Sequence, residues 1–148
     1  MGKIEAAGIG LALLGLVAAA PASAAAAAAA TSVNVSLTGE GTGQMGIAVD
    51  QASVPAGKVT FIVKNNATTE SHEMVVIALP SPDAELPYDA AKQRVTESKV
   101  KSAGEVSDLK PGASKSKTLT LKPGTYKLIC NMKGHYKAGM STVLTVTK

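Results

Sequence analysis

Leu121-Lys-Pro-Gly-Thr-Tyr-Lys-Leu-Ile-Cys130-Asn-Met-Lys-Gly-His135-Tyr-Lys-Ala-Gly-Met140-Ser-Thr-Val-Leu-Thr-Val-Thr147 reads as two strands and the loop that joins them. Pro123 and Gly124 mark a turn, because proline pre-sets its own φ and glycine accepts the positive φ that follows. Thr125 to Cys130 and Ser141 to Thr147 are rich in β-branched and aromatic residues, as strands are. Between them lie ten residues carrying two glycines, each directly before a residue with a soft or nitrogen donor, His135 and Met140.

Working outward, the same strand grammar recurs. Leu-Lys-Pro-Gly also occupies 109 to 112, and Ser114-Lys-Ser-Lys-Thr-Leu-Thr-Leu121 alternates between the two copies. Upstream, Ser32-Val-Asn-Val-Ser-Leu37 alternates with period two and is followed, after the turn Gly39 to Gly43, by Met45-Gly-Ile-Ala-Val49. A Pro55-Ala-Gly57 turn introduces Lys58-Val-Thr-Phe-Ile-Val-Lys64, closed by Asn65 and Asn66, and Glu73-Met-Val-Val-Ile-Ala-Leu79 is a further apolar strand. About seven short strands with Pro/Gly punctuation predict an all-β protein, an antiparallel Greek-key sandwich. Residues 80 to 108 depart from this pattern. They are polar, hold prolines at 80, 82 and 87, and contain the helix-compatible run Tyr88-Asp-Ala-Ala-Lys-Gln-Arg-Val95. We read them as an insertion carrying one short helix across an edge or face of the sandwich.

The chain has 148 residues, the length of a single domain, and much of its 45% hydrophobic content is N-terminal alanine. Residues 6 to 20 are uncharged and apolar, follow a start bearing Lys3, and lead into Pro21-Ala-Ser-Ala24, a small-residue cleavage pattern. Residues 1–24 therefore read as a secretory signal peptide, residues 25–31 as an alanine-rich linker and 32–148 as the folded domain. The competing reading is a retained membrane anchor over residues 6–30, for which alanine and Pro21 are poorly suited. An exported, periplasmic protein is the expectation. Its net charge of +4 is unchanged by cleavage, since Lys3 and Glu5 leave together. With 3% aromatic residues and no arginine-rich stripe, the composition argues against a nucleic-acid reader.

The chemistry is concentrated in few residues. The only cysteine, Cys130, stands five residues before His135, which stands five before Met140, and the second of the two histidines is His72, at the head of another strand. Singly, each has an ordinary explanation as core or surface. Jointly they supply imidazole, thiolate and thioether, the soft mixed set that suits copper cycling between +1 and +2, with methionine as the weak axial donor. In an exported protein a lone thiol calls for an occupant, and metal ligation is one. Met132 has the wrong spacing for a ligand and reads as packing near the site; Met45, Met74, Phe61 and Tyr126 read as core. Tyr136 is either an apolar rim beside His135 or an ordinary half-exposed loop residue. Lys127, Lys133 and Lys137 read as a solvated edge, with docking of an acidic redox partner as the other possibility. Asn34-Val-Ser and Asn66-Ala-Thr match the glycosylation sequon, a pattern short enough to arise by chance.

Cys-x4-His-x4-Met with an upstream histidine resembles the type 1 blue copper proteins, or cupredoxins, with a loop spacing similar to the rusticyanin and auracyanin branch. Val54 to Asn65 and Lys122 to Cys130 also look like cupredoxin strands. The resemblance implies His72, Cys130 and His135 as strong equatorial ligands of one copper ion and Met140 as the long axial one. It implies a monomeric one-electron carrier between redox proteins such as a cytochrome or an oxidase, with no small-molecule substrate. The sequence departs from the family pattern at Glu73, where asparagine or serine is common, and at Lys133, where proline is.

Other functions fit less well. A copper transport, storage or resistance protein is the alternative, but the five methionines form no cluster. Multicopper oxidases and nitrite reductases need more histidines than the two present, and the dinuclear copper centre of terminal oxidases needs two cysteines. A Cys/His hydrolase would lack an orienting partner on this loop, and methionine is an unusual zinc ligand. The expectation is therefore a protein that is not an enzyme.

Overall fold

The computed structural model describes Gly2 and residues 30–148; the expected signal peptide and most of the linker lie outside them. The described residues form eleven strands: β1 Thr31–Thr38, β2 Gly46–Val49, β3 Ser53–Pro55, β4 Gly57–Asn65, β5 His72–Ala78, β6 Tyr88–Asp89, β7 Arg94–Val95, β8 Lys101–Leu109, β9 Ser114–Leu121, β10 Gly124–Ile129 and β11 Ser141–Thr147. They form a four-stranded sheet in the order β2-β1-β4-β9, a five-stranded sheet in the order β3-β11-β10-β5-β8, and a small β6-β7 hairpin. Among the described residues no helix is long and apolar enough to cross a membrane.

Alternation builds the interior. In β1 Val33, Val35 and Leu37 are buried while Ser32, Asn34 and Thr38 are exposed, and in β4 Val59, Phe61 and Val63 face the same way. These side chains meet Met74, Val76, Tyr126, Leu128 and Leu144 of the other sheet in one core cluster. The Tyr126 hydroxyl donates to the Lys122 carbonyl at 2.9 Å, so its polar end is satisfied at the turn before β10. Met45, Met74, Phe61 and Tyr126 are core, as the sequence suggests.

All seven expected strands are present, and the sandwich stands. Its sheets are mixed, however, where a wholly antiparallel arrangement was expected. β1 lies parallel to β4, with Val33 opposite Phe61, and β3 lies parallel to β11. Each of these partners is separated from the other along the chain by intervening elements, so no hairpin fixes an antiparallel register between them.

The larger correction concerns residues 80 to 108. The run Tyr88 to Val95 is a hairpin of two short strands, and the only helical turn nearby is the 3-10 segment Glu97–Lys99. Asp89 Oδ1 accepts hydrogen bonds from the Ala91 and Lys92 backbone N–H groups, both at 3.0 Å, as it would at a helix start. Gln93 then turns left-handed at φ +55, which ends the run, and Val95 is buried against the five-stranded sheet. Burial of Val95 thus overrides a modest helical preference. Residues 101 to 108, also expected as connection, form with Leu109 the edge strand β8 against β5; only Val106 and Leu109 are buried in it, so its composition reads as polar.

The remainder of the segment, residues 80 to 100, covers the outer face of the five-stranded sheet. Leu86 and Val95 pack on Val75, Ile77 and Ile129, with Tyr88, Val100 and Tyr136 at the margin. That cover explains why β5 is a continuous apolar run, Met74 to Ile77, buried on both faces.

Candidate metal centre

Period two places two donors on the inner face of the same sheet. In β5, His72 shares its face with Met74 and Val76; at the end of β10, Cys130 shares its face with Tyr126 and Leu128. β5 and β10 are antiparallel neighbours, with Ile129 opposite Val75, so both donors arrive at one end of the sandwich. The Glu73 backbone N–H donates to Cys130 Sγ at 3.4 Å and joins the two strands there.

The loop after Cys130 folds back through its own backbone. His135 N–H donates to the Met132 carbonyl at 3.0 Å, Met140 N–H to the His135 carbonyl at 3.1 Å, and Cys130 N–H to the Met140 carbonyl at 3.1 Å. Gly134 and Gly139 sit at φ +84 and +98, a region open to glycine and costly to other residues. The consequence is convergence. His72 Nδ1 and His135 Nδ1 are 3.2 Å apart, Cys130 Sγ and His135 Nδ1 are 3.4 Å apart, and the three donor atoms lie within 4.8 Å of one another. Among the described residues this is the one such cluster of histidine, cysteine and carboxylate donors. Met140 is fully buried in the same core cluster as Cys130.

These spacings fit a shared metal ion. Nitrogen and sulfur donors bound at about 2.0 to 2.3 Å around a tetrahedral centre stand roughly 3.3 to 3.8 Å from each other. The donor chemistry selects among metals: two imidazoles with a thiolate suit copper. The groups around the donors prepare them. His72 Nε2 lies 3.2 Å from the Gly39 carbonyl, which accepts its proton and leaves Nδ1 as the free lone pair. Gly39 is at φ +128, and a Cβ there would come within 2.6 Å of Met45 Cγ, so only glycine brings this carbonyl to the ring.

Burial governs the titration of the pocket. It pushes the Cys130 thiol up to about 11, against the lowering effect of the Glu73 and Met132 N–H groups. A thiolate therefore forms here chiefly when a cation replaces the proton. Burial, and then the adjacent His72, lowers the pKa of His135 and keeps its imidazole a neutral lone-pair donor. Glu73 is pushed toward its neutral form by burial and by the nearby Glu97 and Glu105 carboxylates, so the residue that departs from the family pattern is held nearer neutrality than a free glutamate. Lys133, the second departure, is exposed.

Of four further residues around the pocket, three carry little signal in the sequence. Gly39 acts through its carbonyl, and any residue has one. Glu40 accepts bonds from the backbone N–H and hydroxyl groups of Thr68 and Thr69, which lowers its pKa to about 2 and pins the Gly39 turn to the β4–β5 connection. Gln93 accepts a backbone bond from Gly134 at 2.9 Å. Asn131 is different. A polar residue directly after a strand-end cysteine is visible, and it is buried with its amide bonded to Val95 and Glu97. Lys127 Nζ lies 5.8 Å from the Tyr136 ring centre and Lys137 Nζ 4.9 Å from that of Tyr88, so both lysines stand over aromatic rings.

Comparison with known proteins agrees with copper as the metal. The family described as copper binding proteins, plastocyanin/azurin family, matches residues 33–147. Among solved structures, auracyanin from Roseiflexus castenholzii superposes with a TM-score of 0.57 at 24% identity, over 81% of this chain and 99% of that one. Auracyanin A from Chloroflexus aurantiacus, a "blue" copper protein, gives 0.57 at 21% identity over 80% and 100%. Rusticyanin from Thiobacillus ferrooxidans gives 0.59 at 16% identity over 78% and 76%. At these identities the superpositions establish a shared fold. No curated protein matches by sequence.

Proposed function

The chain belongs to the plastocyanin/azurin family of copper-binding proteins, and from that premise we propose that it is an exported one-electron carrier holding a single type 1 copper. His72, Cys130 and His135 are the strong ligands and Met140 the weak one. The observation that carries this reading is the convergence of His72 Nδ1, Cys130 Sγ and His135 Nδ1 within 4.8 Å in a buried pocket. Bound there, copper supplies a one-electron couple between its +1 and +2 states.

The protein's part is to make that couple cheap to switch. His72 is oriented by the Gly39 carbonyl, and the loop bonds between Cys130, His135 and Met140 hold the remaining donors at fixed separations. Burial excludes water that would otherwise join as a ligand. His72, Cys130 and Met140 are fully buried while His135 is 9% exposed, so the His135 ring is the natural point of electron entry and exit. The same burial disfavours a copper carrier, which would need ligands that an acceptor can reach. Both histidines are used by one site, which leaves none for a second, catalytic copper.

Residues 6 to 24 support export to the periplasm, and a small protein with one redox centre fits a monomer that meets a cytochrome or an oxidase in turn. The deciding measurement is the visible spectrum of the copper-loaded protein. Oxidised protein should be intensely blue and bleach on adding a reductant; a colourless complex overturns the reading.

A further inference from the structure

Residues 80 to 100 join the ligand loop wherever it carries a strong donor. Next to Cys130, the Asn131 side chain accepts from Val95 N–H at 2.7 Å, donates to the Val95 carbonyl at 2.9 Å and donates to Glu97 Oε1 at 2.7 Å. Next to His135, Gly134 N–H donates to the Gln93 carbonyl at 2.9 Å. One residue further, the Tyr136 and Tyr88 rings lie 6.1 Å apart. The contact is built, since Asn131 is 3% exposed and Gln93 occupies the left-handed region at φ +55, sparsely used by residues other than glycine.

The chemistry of Asn131 is specific to this task. A carboxamide presents one acceptor and one donor side by side, so it pairs with both backbone groups of Val95 as the next strand of the β6-β7 hairpin would. Aspartate could accept but not donate, and would face Glu97. No other side chain links a ligand's immediate neighbour to the cover segment by three bonds among the hydrogen bonds described.

We propose that residues 80 to 100 are a brace for the metal-binding loop, and that Asn131 is its positioning residue, holding Cys130 and His135 in one geometry through both oxidation states. The proposal rests on the functional reading above. Tyr136 of the loop packs against the apolar cluster of Leu86 and Val95 from the cover and Ile129 from β10, so the brace is continuous with the outer face of the sheet. A loop gripped in this way relaxes little when the metal charge changes, and the metal is released slowly.

The test compares wild type with Asn131→Ala, Asn131→Asp and Glu97→Ala, each in metal-free and copper-loaded form. Expected for Asn131→Ala is a folded protein that still takes copper, with affinity lowered about 10- to 100-fold, as loss of an outer-shell partner does, an altered blue absorption band and slower electron self-exchange. In the metal-free protein, backbone amides 132 to 139 should exchange faster with deuterium while those of β1 and β4 keep their protection. Asn131→Asp should show the same changes, and Glu97→Ala, which removes one bond of three, smaller ones. Wild-type colour, affinity, self-exchange and loop protection in a variant that merely melts earlier would overturn the brace. Should Asn131→Ala fail to fold, the other two variants decide by the same readouts. A colourless wild type would sink the functional reading alone, because amide exchange in the metal-free proteins still decides the brace.

Discussion

The five-stranded sheet has two apolar faces that were made differently. Its inner face packs on the other sheet through Met74, Val76, Tyr126, Leu128 and Leu144, against Val33, Val35, Phe61 and Val63. Its outer face, Val75, Ile77 and Ile129, is covered by Leu86 and Val95 from a segment whose regular structure is one short hairpin and a 3-10 turn. Strand meets strand of the facing sheet on one side, and a short hairpin with its flanking loops on the other. Ile129, the last residue of β10, points outward and Cys130 directly after it inward, so the loop from Cys130 to Met140 leaves the sheet where the two cores meet. Rigidity at the ligands is therefore drawn from two sources, of which only the inner one is common to any two-sheet sandwich.

Truncation separates the two faces most strongly. Phe61→Ala, in the middle of the inner core, should cost about 3 to 5 kcal/mol, read as a lower urea midpoint with an unchanged m-value. Cys130→Ala tests the junction itself. At a copper concentration about 100 times the dissociation constant, binding to the native state adds roughly 2.7 kcal/mol to stability, seen as a raised melting temperature; the variant should lose this shift and the colour together, and survival of either contradicts the ligand assignment.

Alkaline pH gives a third contrast. Copper-free, Cys130 titrates at about 11 when folded and near 9.0 as an ordinary thiol, so between those values the unfolded chain binds fewer protons and stability falls as pH rises. The contribution is fully present below pH 9, with a fall of about 2 to 3 kcal/mol complete near pH 11. Urea titrations of wild type and Cys130→Ala isolate it from lysines and tyrosines, and the two should converge on this term as pH climbs.

Leu86→Ala, in the cover, should cost about 2 kcal/mol, the low end for a leucine truncation, because the site is at the protein's margin. Its distinguishing sign is locality: hydrogen exchange should quicken in residues 80 to 100 and in the loop after Cys130 before it quickens in β1 or β4. Uniform acceleration would show that the two faces unfold as one. The smallest effect belongs to Met140→Leu, a volume-conserving change expected to cost less than about 1.5 kcal/mol. It should keep the copper centre and raise its reduction potential, measured by redox titration, because a weak donor to the oxidised metal has been removed.

The inner face was legible because it obeys a local rule. Val33, Val35 and Leu37 alternate in the chain as they do in space, and the same period carries His72 and Cys130 inward. The outer cover was not. Tyr88 to Val95 has residues that tolerate a helix, and nothing adjacent in sequence announces that Val95 will be buried under Asn131, a residue 36 positions away. Strand β8 was missed for a related reason, since an edge strand with two buried residues has no pattern to display. The clustering of His72, Cys130 and His135 was readable through residue scarcity: with two histidines and one cysteine, few pairings are available.

What the amino-acid sequence determined by itself is the candidate donors, the strands that carry them and the short loop from Cys130 to Met140, because these depend on residue identity and on periods of two to five residues. Only the tertiary structure decided the mixed sheets, the Gly39 carbonyl on His72 and the hairpin that grips the loop. Those rest on backbone groups that every residue possesses, and on contacts between segments that are brought together by burial rather than by proximity in the chain.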